Sequence, residues 1–78
     1  MLTNLRFARL ERSMSQFELG IRAEVAPHRI SLAERRMIIL DENEYKRLAN
    51  VLGKPLKWIL EDQAEALPFG GMRKGRKK

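Results

Sequence analysis

Helix punctuation sets the tightest limit on what this chain can fold into. Ser15 stands three residues before Glu18, Pro27 opens a new apolar pattern, Asp41 precedes Glu42 and Glu44, and Gly53 and Pro55 close one segment and open the next. Each marks a helix end for a local reason. Small polar side chains accept hydrogen bonds from the free N–H groups of a first turn, glycine tolerates the left-handed residue that ends a helix, and proline suits a first turn whose N–H needs no partner. Between these marks apolar residues recur at helical spacing. The run Met37-Ile38-Ile39-Leu40 has nothing nearby to pair with as a strand, so it reads as a connection packed on the core. The expectation is an all-α fold, a bundle of five short helices.

The first helix is predicted from Asn4 to about Arg12, capped by Thr3 or Asn4, with Leu2, Leu5 and Arg9 at helical spacing. Ser13-Met14-Ser15 interrupts it. Ser15 and Glu18 read as a capping box for a second helix over 16–23 that buries Leu19 and Ala23. A third helix, about 27–35, turns Ile30 and Ala33 inward with Val25, leaving His28, Arg29, Ser31, Leu32 and Arg35 over its outer faces. The fourth follows Asp41, buries Tyr45, Leu48, Ala49 and Leu52, and stops at Gly53. The fifth starts at Pro55, carries Leu56, Trp58, Ile59 and Leu60, and extends towards Ala66.

Seventy-eight residues without cysteine leave one small domain, residues 1–66, that must hold by packing alone. A single histidine and no acidic cluster at a defined spacing give no constellation for catalysis or metal binding, so neither an enzyme nor a cofactor is expected. No apolar run approaches the roughly 20 residues of a membrane span, and arginines interrupt any leader-like stretch, which points to the cytoplasm. The net charge of +6 is unevenly placed: residues 1–66 hold eleven Lys and Arg against all ten acids, whereas Arg73, Lys74, Arg76, Lys77 and Lys78 crowd the glycine-rich segment 67–78, read as a disordered basic tail. Nucleic-acid binding by the folded part must therefore rest on where its few arginines sit. The tail either follows a DNA backbone or groove, or only aids solubility.

Two short helices joined by a tight turn suggest a helix-turn-helix, whose second helix enters the major groove. The stretch from Leu5 to Leu60 resembles the Cro/C1-type (XRE) family of phage and bacterial regulators. The marks are Arg9, Ser15-Gln16, Leu19, Val25, Ile30-Ser31, Glu34, Leu48-Ala49 and Leu52-Gly53, in that order and spacing. The resemblance implies a lambda-repressor-like fold and sequence-specific binding of double-stranded DNA by a transcriptional regulator, a repressor in the first instance. It also implies that Gln16 bonds a backbone phosphate and that Arg9 pairs with Glu34 to set the angle of the third helix.

The family's exposed recognition positions fall on Pro27, His28, Ser31 and Leu32, with Arg29 adjacent. His28 either reads a purine edge or is a solvated first-turn residue. Arg29 either forks onto guanine or holds a phosphate, and Leu32 either meets a thymine methyl or belongs to the core. Arg35 and Arg36 lie where flanking phosphates pass. The sequence departs from the family at Glu24 and Arg36, where glycines are usual, at Gly20, where alanine is common, and at Ala26, a weaker cap than Ser or Thr. Glu24 must then accept a positive φ or the turn takes another path.

Members of toxin–antitoxin pairs use this fold too, so an antitoxin that binds a protein toxin and its own operator is the alternative. Apolar residues Phe7, Leu10, Phe17, Ile38 and Trp58 are candidates for a protein-binding surface, with core burial as the other reading. A homodimer is expected because one short recognition helix reads few base pairs. Trp58 and Leu60 are its first candidate surface, again with burial in the monomer as the other reading.

Overall fold

A computed structural model describes residues 2–63. Its five helices are α1 (Asn4–Glu11), α2 (Gln16–Ala23), α3 (Pro27–Glu34), α4 (Glu42–Leu52) and α5 (Leu56–Leu60), and the described residues contain no strand. The all-α bundle expected from the punctuation is the observed class. The basic segment 67–78, and the continuation of the fifth helix towards Ala66, lie outside the described residues.

Thr3 caps α1, its Oγ1 accepting from the Arg6 N–H at 3.1 Å, and Ser15 caps α2 by accepting from the Glu18 N–H at 2.9 Å. The box expected at Ser15 is only half made. Glu18 turns along the helix to Arg22 instead, 3.3 Å away. The complete box forms at α4, where Asp41 accepts from the Glu44 N–H and the Glu44 carboxylate accepts from the Asp41 N–H. Gly53 ends α4 at φ 69°, and Pro55 is the cap of α5 rather than its first turn.

Leu5, Ala8, Leu19, Ala23, Val25, Ile30, Ala33, Tyr45, Leu48, Leu52 and Ile59 are all buried and form one core. The helix α2 packs against both α3 and α4, while α5 bridges α4 and α1. Met37–Leu40 is a connection, as its brevity implies: Leu40 is buried and Ile38 and Ile39 rest on the core. The last described turn is tied back to the start of the chain. Asn4 donates from its backbone to Asp62 at 2.7 Å and from its side chain to the Trp58 carbonyl at 2.7 Å.

Gly20 makes the α2–α3 crossing tight. A Cβ there would sit 2.6 Å from the Val25 carbonyl oxygen and 3.0 Å from Pro27 Cγ, so the turn can lie this close only against a bare backbone. Three non-glycine residues, Ser13, Glu24 and Arg36, adopt positive φ near 60°. At all three glycine would be the easier choice, and the chain keeps the left-handed turn and bears the Cβ crowding.

Candidate nucleic-acid interface

Built from its residues, the candidate interface starts with the anchor of α3. The Arg9 guanidinium forks onto Glu34, with Nε to Oε2 at 2.6 Å and Nη2 to Oε1 at 2.9 Å, and its Nη1 donates to the Met14 carbonyl at 2.8 Å. Both side chains are almost wholly buried. A buried ion pair with its donors and acceptors satisfied fixes geometry more than it adds net stability. Here it locks the end of α3 to α1 and to the α1–α2 connection, as the expected pairing required.

Gln16 belongs to the same cluster. Its Nε2 donates to Glu34 Oε1 at 3.0 Å, so the side chain expected on a phosphate is tied inward at the start of α2. Glu34 thereby gathers donors from α1 and α2 onto α3, and Gln16 is left half-buried.

Arg29 also differs from expectation. Its Nε meets Glu44 Oε2 at 3.0 Å and its Nη2 meets Glu44 Oε1 at 2.7 Å, a two-bonded fork from α3 to the first turn of α4. Donation to the Glu44 carboxylate holds the guanidinium pKa above its ordinary value, and the same hydrogen bond holds the Glu44 carboxyl below the usual range against the opposing effect of burial. Arg29 is thus tied to α4, with part of its side chain still exposed.

Arg36 turns towards the last described turn, with Nη2 3.7 Å from Asp62 Oδ2, while its Nε is buried without a hydrogen-bond partner. What remains on the outer edge of α3 is Pro27, Ser31 and Leu32, all half-buried, and His28 and Arg35, both exposed. Arg35 Nε reaches only the Ser31 carbonyl, at 3.4 Å. Leu32 is thus neither core nor free of it, whereas Ile30 and Ala33 take the core side as their spacing predicts. This edge is therefore unspent: its polar groups make few internal bonds.

No family model, curated protein or solved structure matches the chain.

Two residues important to the site escaped the sequence reading. Arg47, on α4, donates to the Ala23 carbonyl at 2.8 Å and the Glu24 carbonyl at 3.1 Å, closing the carbonyl ends left free at the α2–α3 turn. Glu44 follows Asp41 at the start of α4 and carries no sequence signal as a partner for Arg29. A basic or acidic residue on a solvated helix face carries no local signal of a partner so far along the chain. Trp58 and Leu60, the first candidates for a dimer surface, are each half-buried: Leu60 rests on the core, and the Trp58 ring meets Phe7 edge-on at 6.4 Å with Lys54 Nζ 5.1 Å from its centroid. Among the described residues no helix is long and apolar enough to cross a membrane, and no three His, Asp or Glu side chains gather as a metal site would require.

Proposed function

We propose that this chain binds double-stranded DNA in a sequence-dependent manner, placing α3 in the major groove as a transcriptional regulator. The observation that carries the reading is the α2–turn–α3 unit itself, braced from behind by the Arg9–Glu34 fork and by Arg47, with an outer edge of α3 that its own core does not consume. A rigid helix whose outward groups are unspent suits a groove that discriminates by hydrogen-bond pattern. His28, exposed on the first turn, is the base-edge reader. Ser31 and Leu32 flank it, Leu32 offering a methyl-bearing surface to thymine. Arg35 supplies phosphate contact beyond the helix end, and Arg29 acts by holding α3 against α4.

Selection of bound duplexes from a random pool, at two salt concentrations, tests this. Intact protein enriches a defined motif, His28→Ala alters the motif at one position, and Arg35→Ala weakens all sequences and reduces the salt slope by about one. A pool that stays random, or a motif untouched by His28→Ala, overturns the reading.

A further inference from the structure

Arg29 uses only one edge of its guanidinium on Glu44. Both bonds leave from Nε and Nη2, at 3.0 and 2.7 Å, and among the described residues Nη1 has no hydrogen-bond partner. The other edge, Nη1 with the second N–H of Nη2, therefore remains a two-donor fork. The Arg29 side chain is 39% exposed, whereas that of Glu44, which steadies it, is 12% exposed. Arg29 neighbours Leu32 one turn further along α3, so the fork borders the outer edge of that helix. We propose that this free edge of Arg29 reads a guanine, and that Glu44 is the positioning residue that presents it.

On the DNA reading above, on which this rests, a recognition helix meets base edges with its N-terminal residues, and Arg29 is the third residue of α3. Two acceptors could take the fork there, a guanine edge or a backbone phosphate. Guanine O6 and N7 accept a matched pair of donors and carry no net charge. A phosphate accepts a fork as well, but charge is the larger part of its attraction. Glu44 neutralises the guanidinium, and Asp41 acts on the same group from close by, so this flank of α3 has no surplus positive charge to hold an anion. What it keeps is donor geometry.

Restraint favours the base for a second reason. A guanidinium tied at two atoms has lost most of its rotamer freedom before DNA arrives, so less ordering remains to be done on binding. A fixed fork also discriminates between bases better than a mobile one. Glu44 thus turns Arg29 from a backbone contact into a base contact, and without its carboxylate the same arginine becomes an ordinary mobile cation.

The test is duplex selection by the full chain and by two variants, with affinity for the selected motif measured at two salt concentrations. The wild type should enrich a guanine at a position other than the one His28→Ala alters. Arg29→Gln leaves a donor for Glu44 but no free fork, so preference for that guanine should fall about tenfold or more, with the other positions and the salt slope unchanged. Glu44→Gln leaves an acceptor for the Asp41 N–H but removes the charge. The same guanine should lose preference while the salt slope steepens by about one, because the released guanidinium takes a phosphate. A residue that only orients α3 would instead blur the whole motif and leave the slope alone. Circular dichroism checks that each variant is folded, and if Arg29→Gln is not, Glu44→Gln decides. Loss spread over all positions, a slope reduced by about one in Arg29→Gln, or a guanine untouched by either variant would overturn the proposal and leave the DNA reading in place. A random pool from the wild type would overturn both.

Discussion

Arg29 and Glu44 are joined by two short hydrogen bonds, at 3.0 and 2.7 Å, so the first turn of α4 holds the helix that would face a ligand. Glu44 is shared, since its Oε1 also accepts from the Asp41 N–H at 2.9 Å. The cap of one helix and the orientation of another thus depend on one carboxylate.

That sharing has a pH signature. Glu44 is held below the usual carboxylate range chiefly by the Arg29 hydrogen bond. A depressed carboxyl contributes stability that is present above its unfolded value of about 4.3 and is lost as the pH falls through the depressed native value. Thermal unfolding from neutral pH down to about pH 3 should show the wild type losing stability on the acid side, and Glu44→Gln and Arg29→Ala should both flatten that loss. The double variant should be little worse than either single one, because both remove the same contact. Identical acid slopes in wild type and Glu44→Gln would rule this out.

The Arg9–Glu34 pair behaves differently because it is buried. Removing one partner strands the other charge, so Arg9→Met or Glu34→Leu should each cost about 3–5 kcal/mol in urea unfolding. Replacing both with apolar residues should recover much of that, since no lone charge remains. The double variant nevertheless frees Gln16 Nε2 and the Met14 carbonyl, and should bind DNA less selectively even where it folds well. A single variant costing under about 1 kcal/mol would show the pair to be solvated instead.

Gly20→Ala sets helix propensity against packing. Alanine gains about 1 kcal/mol as a helix former, yet its Cβ would stand 2.6 Å from the Val25 carbonyl oxygen, a backbone atom that cannot swing aside. Overpacking of this kind costs about 1–3 kcal/mol, so the net effect on stability is a modest loss with a shifted α3. Chemical unfolding reads the first effect and amide chemical shifts along residues 25–31 read the second; a stabilised variant with unmoved α3 signals would refute the clash.

The helices were legible because their ends are written locally. Thr3, Ser15, Asp41 and Gly53 act within a few residues of themselves, and the spacing of Leu19, Ala23, Ile30 and Ala33 assigned the core side of α2 and α3 correctly. The site was legible only where a pair was marked at both ends, as with Arg9 and Glu34. Arg29, Arg36 and Gln16 were read as outward because each sits beside the edge of α3 or at the start of α2. Their actual partners, Glu44, Asp62 and Glu34, are set by helix packing that no local spacing records. The choice between Ser15 and Asp41 as the site of a full capping box was decided by the same kind of competition: Glu18 has Arg22 one turn ahead, whereas Glu44 points back across its own cap.

Sequence and backbone conflict at Glu24 and Arg36, as at Ser13, each holding a left-handed φ near 60° with a Cβ. Such a residue costs about 1 kcal/mol relative to glycine, so Glu24→Gly should stabilise the fold by up to that amount. The Arg47 bonds go to the carbonyls of residues 23 and 24 and survive the change. Arg36→Gly should gain as much or more, because it also removes the buried Nε that lacks a partner. Loss of stability in both variants, measured by thermal unfolding, would mean that the α2–α3 turn and the end of α3 are not strained.

Tyr45 supplies the alkaline counterpart to Glu44. Its hydroxyl donates to Gln63 Oε1 at 2.7 Å and accepts from the Leu40 N–H at 3.2 Å, and burial pushes its pKa up. A raised phenol contributes stability that is complete below its unfolded value of about 10 and is lost as the pH rises through the native value, because the unfolded chain releases the proton first. The chain has one tyrosine, so tyrosinate absorbance reports this group alone. Titration should show ionisation delayed past about pH 10 and then coincident with loss of helical circular dichroism. Tyr45→Phe should lose the tyrosine-dependent part of the alkaline slope, while costing about 1–3 kcal/mol at neutral pH by leaving the Leu40 N–H and the Gln63 carbonyl oxygen without this partner. Ionisation at the pKa of free tyrosine, in a chain still folded, would show that the hydroxyl is open to water and that the last described turn does not seal it.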